Sequence, residues 1–151
     1  MGSVRRASII VLTGIVSYFT YVLFTGIVAG YMSPVYTWLP EVMDAGWRDA
    51  AIRISLMLDW LMVVGPVCLG FGLAYGYSFP GSAQYSGLLI GALFVLSDWV
   101  HFYTMLEVWP VSSAVILHSQ MVEGLVVMAG FWVSVYCGAK VREARFSDVQ
   151  V

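Results

Sequence analysis

Apolar residues run along the chain in four long stretches, and most of the prolines and charged residues lie between or outside them. The stretches cover about residues 7–32, 50–75, 85–106 and 112–137. Each reaches the ~20 residues that an α-helix needs to cross a bilayer. Apolar and polar positions do not alternate within them, and backbone amides in lipid must be paired within their own segment. The pattern therefore predicts four transmembrane helices.

Composition points to the same class of protein. The 151 residues are 60% hydrophobic and 11% charged, with a mean hydropathy of +0.85, whereas a soluble domain carries roughly 25% charged residues. We therefore expect an all-α integral membrane protein, a single four-helix bundle over residues 1–151, with the lipid bilayer as its main partner. A net charge of −2 without a basic stripe argues against a nucleic-acid partner.

The basic residues predict the orientation in the cell membrane. Those that flank the first and last spans are Arg5, Arg6, Lys140, Arg142 and Arg145, whereas the first loop region offers only Arg48 and Arg53. Since cytoplasmic flanks are enriched in Lys and Arg, both termini of this multi-pass protein should be cytoplasmic. The first apolar stretch is too long for a cleaved signal peptide, whose apolar core has about 7–15 residues, so we interpret it as a retained span.

Prolines and glycines mark expected breaks and close contacts. Pro34 and Pro40 should end the first helix and begin a long outer loop, and Gly65-Pro66 predicts a kink or local opening in the second span. Three GxxxG matches, "GIVAG", "GLAYG" and "GLLIG", allow helix backbones to approach closely. They could serve packing within the chain, which is the default, or contact in a homo-oligomer.

Besides Arg53 near the start of the second span, five acidic or histidine residues fall inside the predicted spans, which is unusual because a charged residue there costs ~2.5–3.5 kcal/mol on insertion scales. They are Asp59, Asp98, His101, His118 and Glu123. A short turn between the third and fourth spans would place the two histidines at one level, each about 9 Å inside the outer boundary, with the acids deeper. We therefore expect an outward-facing polar site built from spans two, three and four.

One hypothesis for this site is metal binding. Imidazole and carboxylate ligands at one level suit Zn²⁺, Cu²⁺ or iron, with Asp98, His101 and His118 as ligands and Asp59 or Glu123 behind them. A signature spacing such as HExxH is missing. A bis-histidine haem is a weaker hypothesis, because helices joined by a tight turn lie about 8–10 Å apart, too close for the macrocycle. The cofactor therefore stays unknown, with a divalent metal as the first possibility.

A second hypothesis is acid–base chemistry on a lipid-like substrate. Asp59, Asp98 and Glu123 would be the catalytic acids and bases of an isomerase or cyclase. Aromatic side chains would hold the ligand and stabilise positive charge on it: Trp60, Trp99 and Tyr103. "LDWLM" and "SDWVH" place Asp59 and Asp98 at similar depth, so that the two could meet and share a proton or a cation. A proton or ion pathway is a further alternative.

Features along the chain also suggest a family. A first span ending in "GYMSPVY", a loop with tryptophan and methionine, a glycine-rich third span and a short final hairpin resemble a family of small bacterial four-helix membrane proteins known only as a domain of unknown function. The resemblance implies the fold and supplies no activity. The sequence thus leads us to expect a small membrane protein that binds a metal or small ligand, as a homo-oligomer or as a subunit of a larger membrane complex.

Overall fold

The computed structural model describes residues 3–42, 60–105 and 113–147, and within these ranges the chain is helical without strands. Four α-helices form the bundle: α1 Ser3–Val42, α2 Gly65–Ser78, α3 Ala83–Met105 and α4 Ser113–Ser147. A π-helical turn, Trp60–Val64, leads directly into α2, and a 3₁₀ turn, Pro80–Ser82, connects α2 to α3. The predicted all-helical architecture is confirmed for the described residues.

Two helices are longer than the sequence pattern predicts. Helix α1 continues through Pro34 and Pro40 to Val42, so the prediction that these prolines end the helix is wrong. An interior proline removes one backbone hydrogen bond and can bend a helix without ending it. Helix α4 continues beyond Cys137 to Ser147, because the polar tail is rich in good helix formers and carries a Lys140–Glu143 ion pair of 2.6 Å.

The predicted opening in the second span is confirmed. The π turn of residues 60–64 ends immediately before Gly65, and Pro66 lies in the first turn of α2, where a backbone N–H would have no partner within the helix. The helical turn just before Gly65 is therefore wider than an α-helical turn, and the helix is regular after it. The first part of the predicted span, residues 50–59, lies outside the described residues.

Helix α4 packs against both α2 and α3, and α1 packs mainly against α3. The contact between α1 and α2 is smaller, and α2 scarcely touches α3. Around the bundle the order is therefore α1, α3, α4, α2, with a loose seam between α1 and α2. Six residues are almost completely buried between the helices: Ser17, Val64, Ser86, Ile90, Phe131 and Val135.

Glycines bring α4 close to its two neighbours. A Cβ at Gly76 of α2 would overlap the Val135 carbonyl of α4, and one at Gly87 of α3 would lie 2.7 Å from the Cα of Trp132. Packing within the chain, the default expectation for these motifs, is thus confirmed for "GLAYG" and "GLLIG". In "GIVAG", by contrast, a Cβ at Gly26 would meet nothing within 4 Å among the residues that the structure describes.

Two helical segments are long and apolar enough to cross a membrane, Val4–Val28 and Met121–Ser147. Two further apolar segments are shorter, Met62–Ser78 and Tyr85–His101. At the end of the bundle where α4 finishes, Arg142 Nη1 donates hydrogen bonds of 2.9 Å to the carbonyl oxygens of Tyr77 and Ser78. These bonds cap α2, whose last carbonyls have no partner within the helix.

Candidate polar site inside the bundle

Asp98 of α3 and Glu123 of α4 line the same small cavity inside the bundle. Its walls include Tyr21 of α1, Val64 of the π turn and Trp99 of α3, and its volume is about 20 Å³. A cavity needs roughly 10–15 Å³ to hold one water molecule. The space between the two carboxyl groups therefore suits a group of about the size of water.

Close helix packing brings the two acids together. Gly124 follows Glu123, and a Cβ there would lie 3.1 Å from Cγ1 of Val95, one turn before Asp98 on α3. The missing side chain lets α4 approach α3 at this level. Two acids that are distant in the sequence consequently line one cavity.

Asp98 is the electrostatic centre of the site. It is half-buried and interacts with His101, one turn further along α3, and with Glu123 on α4. It also interacts with the buried Tyr18 of α1. Asp98 and Glu123 are thus two acidic groups that interact at one cavity, whose other described walls are mainly apolar and aromatic, and Glu123 is also exposed at the surface.

His101 lies at the edge of this site rather than in the wall of the cavity. Its side chain is exposed, and its ring stands edge-on to the ring of Tyr18, with centroids 6.2 Å apart and an interplanar angle of 66°. His101 is thus placed to interact with Asp98 at the edge of the site.

An aromatic cluster supports the cavity from the side of α1. The Tyr18 and Phe94 rings are 5.5 Å apart, the Tyr21 and Phe94 rings 5.3 Å, and the Phe94 and Phe131 rings 5.7 Å. The prediction that the site is built from spans two, three and four is therefore incomplete, because α1 contributes to it. Tyr18 and Tyr21 are three positions apart on α1 and therefore share a face of the helix, and that spacing was the available signal.

Of the other predicted site residues, one lines the cavity, one does not, and the side chains of the rest are not described. Trp99 lines the cavity as expected, whereas Tyr103 is 53% exposed and is not among the residues that line it. Asp59 lies outside the described residues, as do the side chains of Trp60 and His118. The predicted meeting of Asp59 with Asp98 therefore stays a prediction.

Among the side chains that the structure describes, no group of three or more His, Cys, Asp or Glu residues could hold a metal ion. The predicted ligand set combines Asp98 and His101 with His118, whose side chain is not described, so that set stays a prediction. The described part of the site has two acids facing a cavity and one histidine beside them.

An apolar cleft of about 440 Å³ lies between α1 and α2, along the loose seam of the bundle. Its walls are Thr20, Phe24, Met62, Val63, Pro66, Val67, Gly70, Phe71 and Ala74. Thr20 Oγ1 donates its hydrogen bond to the Val16 carbonyl at 2.8 Å, so that hydroxyl is already paired. The cleft volume falls within the range of roughly 300–1,000 Å³ typical of ligand sites.

The cleft adjoins the acidic cavity at the end near Thr20 and Val63. Thr20 and Val63 line the cleft, whereas their chain neighbours Tyr21 and Val64 line the cavity. The two spaces thus lie on either side of one contact between α1 and the π turn. Such π-helical turns occur frequently at functional sites.

Comparison of the chain with protein-family models, with curated proteins and with solved structures gave no match. The resemblance to a family of small four-helix membrane proteins stays a prediction.

Proposed function

We propose that the protein is a four-span integral membrane protein with both termini in the cytoplasm, and that Asp98 and Glu123 bind a small cation between its helices. The observation that supports the binding role is the water-sized cavity that both acids line. A metal ion and an ammonium group are the two kinds of cation that fit this description.

The distribution of exposed apolar residues favours a membrane. In the two longest apolar segments only 22% and 33% of the most apolar window is buried, whereas the core helix of a soluble protein is mostly buried. Large apolar side chains face outward along every helix, for example Leu23, Leu69, Leu96 and Leu125. Surfaces of this extent need an apolar environment. Helices α2 and α3 are shorter, so their spanning role is part of the proposal.

Charge and size together favour a cation at the acid pair. A bound cation offsets the repulsion between Asp98 and Glu123, and the rings of Tyr21 and Trp99 offer faces that attract positive charge. A metal ion would need at least a third ligand, for which the predicted histidines His101 and His118 are the candidates. An ammonium group needs only hydrogen-bond acceptors and fits the described residues as they stand.

The proposal is tested by titrating Zn²⁺ and methylammonium separately into detergent-solubilised protein. At least one of these cations should bind. Asp98→Asn and Glu123→Gln should each weaken the affinity for that cation at least about tenfold, which corresponds to ~1.4 kcal/mol. Glu143→Gln is the matched control, because Glu143 is exposed and paired with Lys140 at 2.6 Å, at the far end of α4. That variant should bind like the wild type.

Two results would contradict the proposal. If neither cation binds, the acid pair is not a cation site. If both variants bind as tightly as the Glu143→Gln control, binding occurs elsewhere on the chain.

A second candidate function is acid–base catalysis on a lipid-like substrate, as in an isomerase or cyclase. The observation that favours it is the apolar cleft beside the acid pair, which offers space for a substrate. Here Asp98 and Glu123 would exchange protons with the substrate. Incubation with candidate polyprenyl or sterol lipids in deuterated water tests this, since catalysis predicts deuterium exchange that Asp98→Asn abolishes.

Assembly with a second copy or with a larger membrane complex remains part of the proposal. Oligomeric state measured by light scattering would test it: a particle of more than one chain is expected, and a single chain in the particle contradicts contact with a second copy.

A further inference from the structure

We propose that the cleft between α1 and α2 binds the hydrocarbon chain of an amphiphile whose primary ammonium group reaches the cavity between Asp98 and Glu123. This inference rests on the proposed cation site and names its ligand class: a long-chain primary amine. It combines the two described cavities into one site with an apolar part and an acidic part.

The walls of the cleft match a hydrocarbon chain. Its polar side chain, the Thr20 hydroxyl, already donates its hydrogen bond to the Val16 carbonyl, so the described lining of the cleft offers no free side-chain donor. Along the π turn and α2 it extends from Met62 to Ala74, about 18 Å at the helical rise per residue. Three small residues one turn apart, Pro66, Gly70 and Ala74, leave the space open. A long, narrow, apolar occupant fits this shape.

The acidic cavity specifies the polar end of the ligand. Its charge is complementary to a cation, and its volume of about 20 Å³ admits a group of the size of water, such as a primary ammonium. A quaternary ammonium is larger than this space. Three N–H donors can be shared between the carboxyl groups of Asp98 and Glu123, and Tyr21 and Trp99 provide ring faces beside them.

The cleft and the acidic cavity are separated by one contact between α1 and the π turn, and a ligand that uses both spaces would part this contact. Residues 20 and 21 of α1 and residues 63 and 64 of the π turn are adjacent in the chain, and in each pair one residue lines the cleft and the other the acidic cavity. The first carbons of the chain would pass between Tyr21 and Val64, which pack in the core of the bundle and would have to separate there. The rest would run along α2 towards Ala74, away from the acids.

Variants at two glycines separate a specific site from general partition into lipid. Gly70 lines the cleft, and a Cβ there meets nothing within 4 Å in the described part of the chain. Gly70→Leu therefore places a side chain in the cleft without a clash with described backbone. Gly26 is equally open but lies outside the cleft, so Gly26→Leu is the matched control. The Gly70→Leu and Gly26→Leu variants are placed in nanodiscs that contain dodecylamine at the same mole fraction. The bound amine is then counted by native mass spectrometry.

Gly70→Leu should weaken dodecylamine binding at least about tenfold and leave methylammonium binding unchanged, whereas Gly26→Leu should alter neither. Asp98→Asn should weaken the binding of both dodecylamine and methylammonium. Dodecanol, which lacks the charge, should bind at least about tenfold more weakly than dodecylamine to the wild type. Equal binding of dodecanol and dodecylamine would overturn the inference.

The outcomes distinguish this inference from the proposed function. If Gly70→Leu binds dodecylamine like the wild type, or if Zn²⁺ binds and methylammonium does not, the amphiphile is excluded while the cation site stands. If neither cation binds, the proposed function fails first. Photolabelling of the wild type with a diazirine-bearing dodecylamine needs no variant: label at Phe24 and Phe71 supports the inference, and label spread over exposed Trp132 and Tyr136 instead overturns it.

Discussion

Replacing Gly76 with alanine should destabilise the bundle, although alanine is the better helix former. A Cβ at this position would overlap the Val135 carbonyl group and lie 3.0 Å from the backbone nitrogen of Ala139. Carbon atoms in favourable contact are about 3.5–4.0 Å apart. Because the obstructing atoms belong to the backbone of α4 and cannot rotate away, helices α2 and α4 would have to separate.

The magnitude follows from the size of this separation. Overpacking costs about 1–3 kcal/mol, and we expect the upper end, because a gap of ~0.5–1 Å forfeits a quarter to a half of the dispersion energy at each contact. Alanine returns about 1 kcal/mol of helix propensity. The net loss for Gly76→Ala is therefore about 2 kcal/mol. The Cβ of Gly26→Ala meets no atom of the described residues within 4 Å, so this variant should gain up to about 1 kcal/mol of stability.

Thermal unfolding in one detergent, followed by circular dichroism, measures the difference between the two variants. For a chain of this size about 1 kcal/mol shifts the midpoint by roughly 2–4 °C. Gly76→Ala should therefore lower it by about 4–8 °C, while Gly26→Ala leaves it unchanged or raises it slightly. Equal midpoints for the two variants would refute the close approach of α2 and α4.

Three further predictions concern packing, capping and accessibility. Phe131→Ala should cost about 3–5 kcal/mol of unfolding free energy, because the side chain is 0% exposed. Trp132→Ala, at a site 42% exposed, should cost clearly less. Equal costs in the same thermal assay would contradict the placement of Phe131 in the core. Arg142→Ala should lower the midpoint through loss of about 1.5–3 kcal/mol from its charged hydrogen bonds to the end of α2, and an unchanged midpoint would show that this cap contributes nothing. A membrane-impermeant maleimide should label exposed Cys137 from the cytoplasmic side and leave buried Cys68 unmodified; labelling of Cys137 from outside would reverse the proposed topology.

Several features were predictable because they depend on neighbouring residues in the chain. The apolar runs indicated α3 and α4 and their approximate starts, Gly65-Pro66 indicated the irregular turn before α2, and two GxxxG motifs indicated close helix contacts. Helix ends were less predictable. Pro34 and Pro40 favour a break, yet the backbone hydrogen bonds of the flanking turns continue α1 past both of them.

The polar site shows the same division between local and distant information. Asp98 and Glu123 stand out in the sequence because charges are rare within its apolar runs, and the structure brings them to one cavity. That Tyr18 and Tyr21 of α1 complete the site depends on α1 packing against α3, a contact between segments distant in the chain. Periodicity along one helix contains no information about which neighbour it meets.

The sequence by itself determined the helical class, the apolar surface and the few polar residues available for chemistry, because these follow from composition and from spacing along each helix. Only the tertiary structure decided the order α1, α3, α4, α2 around the bundle, the size of the acidic cavity and the cleft on the loose seam. Those features depend on how closely backbones approach, at Gly76, Gly87 and Gly124, and on how each helix is rotated about its axis. Both are set by contacts between distant segments.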